Sequence, residues 1–219
     1  RAAHVARAPA TGAEWTMSQF PANIDLSNLD GTTGFRLSGV DPADHSGISV
    51  ASAGDVNGDG FADVIVGAPF ADAHGADSGA SYVVFGKAGG FGPNVDLSSL
   101  DGSNGFKLSG VAERDLSGHS VASAGDVNGD GFADVIIGAY GADPNGSYSG
   151  ASYVVFGQAG GFAPNIDLSS LDGANGFKLS GVAVRDLSGW SVASAGDVNG
   201  DGFADLIIGA KLAGPHGNA

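Results

Sequence analysis

Short apolar segments separated by Gly- and Asp-rich turns run along the whole chain, and no segment longer than one turn has the 3.6-residue period of a helix. This pattern predicts four strands, A to D, in each unit. Strand A consists of small residues, strand B is almost continuously apolar, strand C is aromatic and β-branched, and strand D alternates apolar and polar residues. In the first complete unit these strands are Ser49–Gly54, Ala62–Ala68, Ala80–Gly86 and Gly105–Val111.

The strand pattern repeats every 71 residues. The decapeptide GDVNGDGFAD begins at Gly54, Gly125 and Gly196, and no residue is inserted or lost between units. A four-stranded unit of this length is typical of a β-propeller blade, because solenoid repeats usually have about 20–47 residues. We therefore predict an all-β fold of four-stranded antiparallel propeller blades, about three per chain. Before strand D, Asp96 is expected to cap a single helical turn.

The order of the strands divides the chain into five segments. Propellers usually close with about four to eight blades, so we expect an incomplete ring unless the chain pairs with another copy or belongs to a longer chain. Such pairing would make a dimer that closes one six-bladed ring. The segments are an N-terminal extension or linker (1–19), a partial blade with the outer strand D (20–47), complete blades (48–118 and 119–189), and a partial blade with strands A and B (190–219).

Two interpretations of the N-terminal segment remain open. The repeat register places Thr11–Trp15 where a strand C would lie, and Ala13–Phe20 alternates apolar and polar residues as a ring-closing strand would. We favour the alternative, a linker over residues 1–16, because chain termini are poorly ordered unless something ties them down.

Composition limits the partners. The chain has 24 acidic and 9 basic residues, a net charge of −15, and all the acids except Glu14 and Glu113 are aspartate. This charge repels phosphate backbones, so we expect no nucleic-acid partner. No run of about 18 apolar residues exists, so no membrane insertion is expected. The absence of cysteine excludes disulfides and thiolate metal sites.

The connection between strands A and B has the pattern D-x-N-x-D-G-x-x-D in all three units, with oxygen donors at positions 1, 3, 5 and 9 and a phenylalanine main-chain carbonyl at position 7. Oxygen donors suit Ca²⁺, and three neighbouring carboxylates would repel one another without a cation. We predict about three structural Ca²⁺ sites, with Mg²⁺ or Mn²⁺ as alternative ions. The ligands would be Asp55, Asn57, Asp59, Phe61 and Asp63; Asp126, Asn128, Asp130, Phe132 and Asp134; and Asp197, Asn199, Asp201, Phe203 and Asp205.

The loops share features with an EF-hand and with a simple hairpin turn. An EF-hand needs glutamate at position 12, where this chain has Val66, Ile137 and Ile208 inside a strand. The loops are also good hairpin turns, since they contain Asn-Gly and Asp-Gly, but a turn alone does not require three aspartates and an asparagine.

The stretch SVASAGDVNGDGFADVIVGAP, followed by YVVFG, resembles the FG-GAP repeat of integrin alpha-subunit propellers and their bacterial relatives. The resemblance covers about Phe20 to Ala210, although the FG dipeptide is Ser-Gly here and GAP is kept only at Gly67–Pro69. It implies that the A–B loops bind Ca²⁺ on the lower face. It also implies that the B–C and D–A loops bind ligands on the upper face.

Differences between the copies are concentrated in the D–A and B–C loops, which an up-and-down blade places at the end opposite the A–B loops. Ile48, for example, becomes His119 and then Trp190. These positions indicate either a binding face or neutral drift in exposed loops. The recognition patch would contain Tyr140, Tyr148, Trp190, His119, Arg114 and Arg185.

We expect no catalytic residues. His119-Ser120 near Asp115 suggests a base beside a nucleophile, but the other copies have Ile48-Ser49 and Trp190-Ser191. The predicted function is a calcium-binding propeller segment of an extracellular, secreted or cell-surface protein of adhesion type, with a protein or glycan ligand. The alternatives are a carbohydrate-binding propeller lectin and an accessory domain of a larger secreted enzyme.

Overall fold

The structure, a computed structural model, describes residues 2–6 and 23–214. These residues form strands joined by turns and by four short 3₁₀ segments, and none of their helices has the length and apolar character needed to cross a membrane. The 3₁₀ segments are Leu26–Asn28, Pro42–Asp44, Leu97–Ser99 and Leu168–Ser170. The strands are β1 (Ala2–Ala6), β2 (Gly34–Ser38), β3 (Ser49–Gly54), β4 (Asp63–Ala68), β5 (Ala80–Val84), β6 (Asn94–Asp96), β7 (Gly105–Ser109), β8 (Ser120–Gly125), β9 (Asp134–Ala139), β10 (Ala151–Val155), β11 (Asn165–Asp167), β12 (Gly176–Ser180), β13 (Ser188–Gly196) and β14 (Asp205–Ala210).

The strands form consecutive propeller blades in an open arrangement. Blade 1 consists of β3, β4, β5 and β7 as its antiparallel strands A to D, and blade 2 consists of β8, β9, β10 and β12. Strands β13 and β14 are strands A and B of blade 3, and β1 pairs with β2 in the N-terminal sheet. The predicted class, all-β with propeller blades, is confirmed, and the sheets formed by residues 2–6 and 23–214 do not close into a ring.

Strand B is apolar along its length because both of its faces are buried between neighbouring blades. In β4, Ile65 faces the core shared with blade 2, and the adjacent Val66 faces the core shared with the N-terminal sheet. Both side chains are essentially inaccessible to solvent. The alternation of side chains along a strand therefore places each apolar layer between two sheets.

Two short strands were not predicted. Strands β6 and β11 lie before strand D of their own repeat and pair in parallel with strand D of the preceding one, β2 and β7 respectively. The Ser109 hydroxyl donates to the Asn165 side-chain oxygen at 2.7 Å in the second of these pairings. Segments of three residues are too short to show a period of two. The predicted turn after β6 is confirmed, since Asp96 accepts the Ser98 N–H at 2.9 Å.

The N-terminal strand differs from the expectation. Residues 2–6 form β1, which pairs antiparallel with β2 in the position that β5 has beside β7. The linker interpretation of residues 1–16 is therefore wrong for this part. The proposed closing strand at Ala13–Phe20 lies outside the described residues. Strand β1 pairs through main-chain hydrogen bonds, which any sequence without proline can supply.

Candidate calcium loops and the opposite face

The three A–B loops lie at the same end of successive blades. Each begins after a glycine that closes strand A with an irregularity in the ladder, and it ends at an aspartate that opens strand B. The loops span residues 55–63, 126–134 and 197–205 and contain all fifteen predicted ligand residues.

The first aspartate of each loop organises the turn that follows it. In the loop of blade 1, Asp55 Oδ1 accepts the main-chain N–H groups of Gly58 (2.8 Å) and Asp59 (3.1 Å), and Oδ2 accepts that of Gly60 (2.9 Å). Asp126 and Asp197 make the same three contacts at 2.6 to 3.1 Å. The carboxylate thus satisfies N–H groups that the tight turn would leave unpaired.

The last aspartate of the loop is buried in blades 1 and 2. Asp63 accepts the N–H groups of Val56 (2.8 Å) and Gly86 (2.7 Å), and Asp134 makes the equivalent pair of contacts. Burial raises the pKa of Asp63 to about 6, and the charges of Asp59 and Asp55 add to this effect. The pKa of Asp134 is raised to about 6 for the same reasons. In the loops of blades 1 and 2, the three carboxylates are therefore close enough to repel one another.

The middle residues bond to one another and to the turn. Asp59 Oδ1 accepts the Phe61 N–H and its Oδ2 accepts the Asn57 amide, each at 2.9 Å. Within residues 2–6 and 23–214, no three His, Asp or Glu side chains are gathered so that they could hold one metal ion. The structure brings the predicted ligands onto one loop, where their oxygens face main-chain and amide donors.

Consecutive loops are connected directly, which the sequence did not show. The Ala133 N–H of the second loop donates to the Asp55 carbonyl of the first at 3.0 Å, and Ala204 donates to Asp126 at the same distance. A side chain on Gly58 would lie 2.3 Å from the Phe132 ring, so this phenylalanine packs on the preceding loop. Phe203 packs on Gly129 of the second loop in the same way, so Phe132 and Phe203 have a packing role besides offering a main-chain carbonyl.

An aromatic cluster lies at the opposite end of blades 2 and 3. The rings of His119, Tyr140 and Trp190 have centroids 4.5 to 4.8 Å apart. Lys211 Nζ lies 3.6 Å from the Trp190 centroid, a cation–π contact. Burial lowers the pKa of His119, and the Lys211 charge lowers it further. The cluster therefore presents a neutral imidazole between two aromatic rings near neutral pH.

The predicted recognition patch is only partly gathered. The structure brings together His119, Tyr140 and Trp190, but Lys211 supplies the cation of the cluster. Arg114 instead lies 3.7 Å from the neighbouring Glu113. Tyr148 is 41% exposed but lies near the cluster, since it contributes to the raised pKa of Tyr140 after burial of that ring. Lys211 occupies the repeat position of Tyr140, a relation that register alignment of the copies could have revealed.

The aspartate that stays constant inside the variable D–A loop has a structural role in blades 2 and 3. Asp115 accepts the Ala112 N–H at 3.1 Å, and Asp186 accepts the Ala183 N–H at 3.0 Å. Both side chains are buried. These two aspartates therefore cap turns of the D–A loop.

Comparison with known proteins identifies the repeated unit. The model of the FG-GAP repeat matches residues 46–84, 117–155 and 188–219, which together make up half of the chain. The chain belongs to the FG-GAP repeat family. Each match contains strand A, the A–B loop and strand B of one blade, and the first two also reach the end of strand C.

Similar proteins include integrin alpha chains and an enzyme. Integrin alpha pat-2 of Caenorhabditis elegans is 35% identical over 179 residues, which cover 78% of this FG-GAP chain and 14% of that protein. Integrin alpha-4 of Xenopus laevis is 31% identical over 181 residues, 81% of this chain and 15% of the relative. Phosphatidylinositol-glycan-specific phospholipase D of Bos taurus is 34% identical over 164 residues, which cover 73% of this chain and 18% of the relative. The chain thus spans less than a fifth of each relative.

Proposed function

We propose that this chain is a calcium-stabilised FG-GAP propeller segment of an extracellular or cell-surface protein, and that it binds a ligand on the face opposite its A–B loops. The observation that carries the proposal is the recurrence of one oxygen-rich loop at the same end of three successive blades. Calcium has a structural role in this proposal, since the loop joins the two inner strands of each blade. Extracellular modules bind Ca²⁺ at about 10⁻⁴ to 10⁻³ M, which fits a protein outside the cell.

The donor set fits a hard cation. Each loop offers oxygen donors only, and its three carboxylates repel one another, a cost that a divalent ion would remove. A carboxylate has about four lone-pair sites, so an oxygen that accepts an N–H can also coordinate a metal. The ion of the first loop would be held by Asp55, Asn57, Asp59, Asp63 and the Phe61 carbonyl; the corresponding residues of the other loops would hold two more.

Calorimetric titration with Ca²⁺ and thermal unfolding with and without chelator test the metal sites. We expect about three bound ions and a lower melting temperature in chelator. Replacing the middle aspartates together (Asp59→Ala, Asp130→Ala, Asp201→Ala) should abolish binding, whereas Asp172→Ala, in a turn outside these loops, should not. Absence of binding heat, together with melting unaffected by chelator, would reject the calcium sites.

The aromatic cluster is the candidate ligand site on the opposite face. Similarity to integrin alpha chains favours a protein ligand and an adhesion-type role. Aromatic rings also suit sugar rings, so the half-buried cluster formed by His119, Tyr140 and Trp190 favours a glycan as the second candidate. Glycan-array binding that is lost in Trp190→Ala would favour the glycan, and array-negative protein would favour a protein ligand.

We infer that the segment itself is not an enzyme. His119 packs in the aromatic cluster, and the neighbouring Ser120 hydroxyl oxygen accepts the Val192 N–H at 3.0 Å, so both have structural roles. Similarity to a phospholipase D favours the further alternative of an accessory domain beside a catalytic one. The sequence of the gene on both sides of these repeats tests that alternative.

A further inference from the structure

The B–C loops of blades 1 and 2 have the same main-chain framework. They span residues 69–79, between β4 and β5, and residues 140–150, between β9 and β10. In blade 1 the Arg114 N–H of the next D–A loop donates to the Ala76 carbonyl at 2.9 Å, and blade 2 makes the equivalent contact at the same distance. The two loops can therefore be compared position by position.

One position in this framework holds a histidine in blade 1 and an asparagine in blade 2. The Asn145 side-chain amide donates to the Gly181 carbonyl at 2.7 Å. His74 Nδ1 lies at the same distance from the carbonyl oxygen of Gly110, the equivalent glycine of blade 1. Both side chains thus attach their B–C loop to the residue that follows strand D, but the side chain of blade 1 is titratable.

The other ring nitrogen of His74 contacts the next blade. Nε2 lies 3.0 Å from Oδ2 of Asp167, which ends β11 in the C–D connection of blade 2. Burial alone would raise the pKa of Asp167, but the hydroxyl and N–H of Ser169 and the charge of His74 lower this pKa overall. The Asp167 carboxylate is therefore ionised near neutral pH and accepts hydrogen bonds without donating any.

Both ring nitrogens of His74 thus face oxygen atoms that can only accept. A neutral imidazole carries one N–H, whereas the imidazolium carries two. Only the protonated ring can donate to Gly110 and Asp167 at the same time. The neutral ring would point a lone pair at one of these two oxygens and lose that hydrogen bond, so the full set of contacts requires the protonated ring.

Other charged and titratable groups lie on this loop or on the elements packed against it. They are Asp72 and Asp77 of the loop, Asp44 and His45 of the D–A loop of blade 1, Tyr82 of β5, Lys107 of β7, Glu113 and Arg114 of the D–A loop of blade 2, and Asp167. Burial raises the pKa of Tyr82 to about 12, so its hydroxyl stays neutral. Histidine is the side chain whose charge normally changes between about pH 5 and 8. Of the two histidines in this set, His45 packs on the Phe70 ring at the start of the loop, and His74 makes the contacts with strand D and blade 2.

We propose that His74 is a pH-sensitive link, which attaches the B–C loop of blade 1 both to strand D of its own blade and to blade 2 when the ring is protonated, and to only one of them when the ring is neutral. The stabilisation is present at low pH, where the imidazolium forms, and is lost as the pH rises and the ring loses its proton. If the proposed function is correct, this loop belongs to the ligand face, so acidification stiffens the part of that face contributed by blade 1. The Asn145 contact of blade 2 does not change with pH.

Hydrogen exchange of the ligand-free chain at about pH 5.5 and about pH 8 tests the link. After correction for the intrinsic pH dependence of exchange, peptides from residues 71–79 should be about two- to fivefold less protected at the higher pH, an effect typical of one partly exposed ion pair. His74→Asn copies blade 2, keeps a donor for the Gly110 carbonyl and should remove this pH dependence. Protection of the wild-type loop that does not change with pH, or that changes equally in His74→Asn, overturns the proposal.

Two carboxylate variants identify the partner of His74. Asp167→Asn keeps an acceptor for the Ser169 N–H but removes the charge opposite His74, so most of the pH dependence of the loop should disappear. Asp96→Asn is the matched control, because Asp96 caps the equivalent turn of the preceding repeat through the Ser98 N–H; this variant should keep the full pH dependence. Equal pH dependence in the two variants contradicts the link. No ligand is present in these measurements, so their outcome is independent of whether the proposed ligand face is correct.

Discussion

The main-chain N–H of Ala133 lies 3.0 Å from the carbonyl oxygen of Asp55 and joins the A–B loop of blade 2 to that of blade 1. The Ala204 N–H and the Asp126 carbonyl repeat this contact one blade further along. Each loop therefore supports the first aspartate of its predecessor through the main chain. A change in one loop should therefore affect the neighbouring loop.

This connection predicts that calcium binding is coupled between loops. The triple substitution of the third loop, Asp197→Ala with Asp201→Ala and Asp205→Ala, removes its predicted carboxylate ligands and loosens the Ala204 N–H that supports Asp126. Titration should then show one site fewer and weaker binding at the second loop. Unchanged affinity at the two remaining sites would show that the loops act independently.

The first aspartate of a loop should stabilise the fold without metal. Asp126→Ala removes the acceptor of three main-chain N–H groups, so we expect a loss of about 1 kcal/mol in the free energy of unfolding, measured by denaturant titration in chelator. Asp172→Ala removes the acceptor of only one N–H, that of Ala174, and should change it by less than about 0.5 kcal/mol. Equal effects of the two variants would contradict this structural role.

The approach of neighbouring blades should make Gly138 intolerant of a side chain. A Cβ at this position would lie 2.1 Å from the Gly189 carbonyl oxygen of blade 3, and main chain cannot yield as a flexible side chain does. Gly138→Ala should therefore lower the free energy of unfolding by about 1–3 kcal/mol. Gly92→Ala is the control, since a Cβ there meets nothing within 4 Å. A Gly138 variant as stable as the control would argue against close blade packing.

His119 should make stability depend on pH. Its pKa in the folded chain lies below the unfolded value of about 6.5, so the unfolded chain takes up the proton more readily. The stability due to the neutral ring is complete above about pH 6.5 and decreases as the pH falls below that value. His119→Ile, which copies Ile48 of blade 1, should remove this component. The difference in unfolding free energy between the two proteins at each pH isolates the contribution of His119, because the carboxylates titrate in both. A difference that does not change with pH would disprove this contribution.

The sequence predicted the features that repeat locally. Strand A at Ser49–Gly54 agrees with β3, and the other strands of this unit agree within two residues, because period and turn residues determine them. Contacts between blades were not predicted, since the Ala133–Asp55 bond joins residues more than 70 positions apart. Such contacts depend on how one sheet packs on the next. The Lys211 contact with Trp190 lies within blade 3 and was missed although the repeat register places Lys211 at the position of Tyr140.

Strand β1 was beyond prediction for a different reason. Its sequence AAHVA shares only its first alanine and its valine with the ASYVV of β5, although the two have the same register beside strand D. The pairing rests on main-chain hydrogen bonds and on the packing of Ala3 with the buried Leu37, not on a repeated motif. The stability of β1 should therefore depend on β2, and the stability of β2 should depend on β1.

Removing residues 1–6 tests this dependence. Without β1, the Phe35 and Leu37 main-chain groups, which face away from β6, lose their partners and the Leu37 side chain loses cover, so amide exchange in β2 should become faster. Strand β7 is the internal control, because it occupies the equivalent position and keeps β5 beside it. Hydrogen exchange read by mass spectrometry compares the two strands in one sample. If β2 remains as protected as β7 after the deletion, β1 does not stabilise the N-terminal sheet.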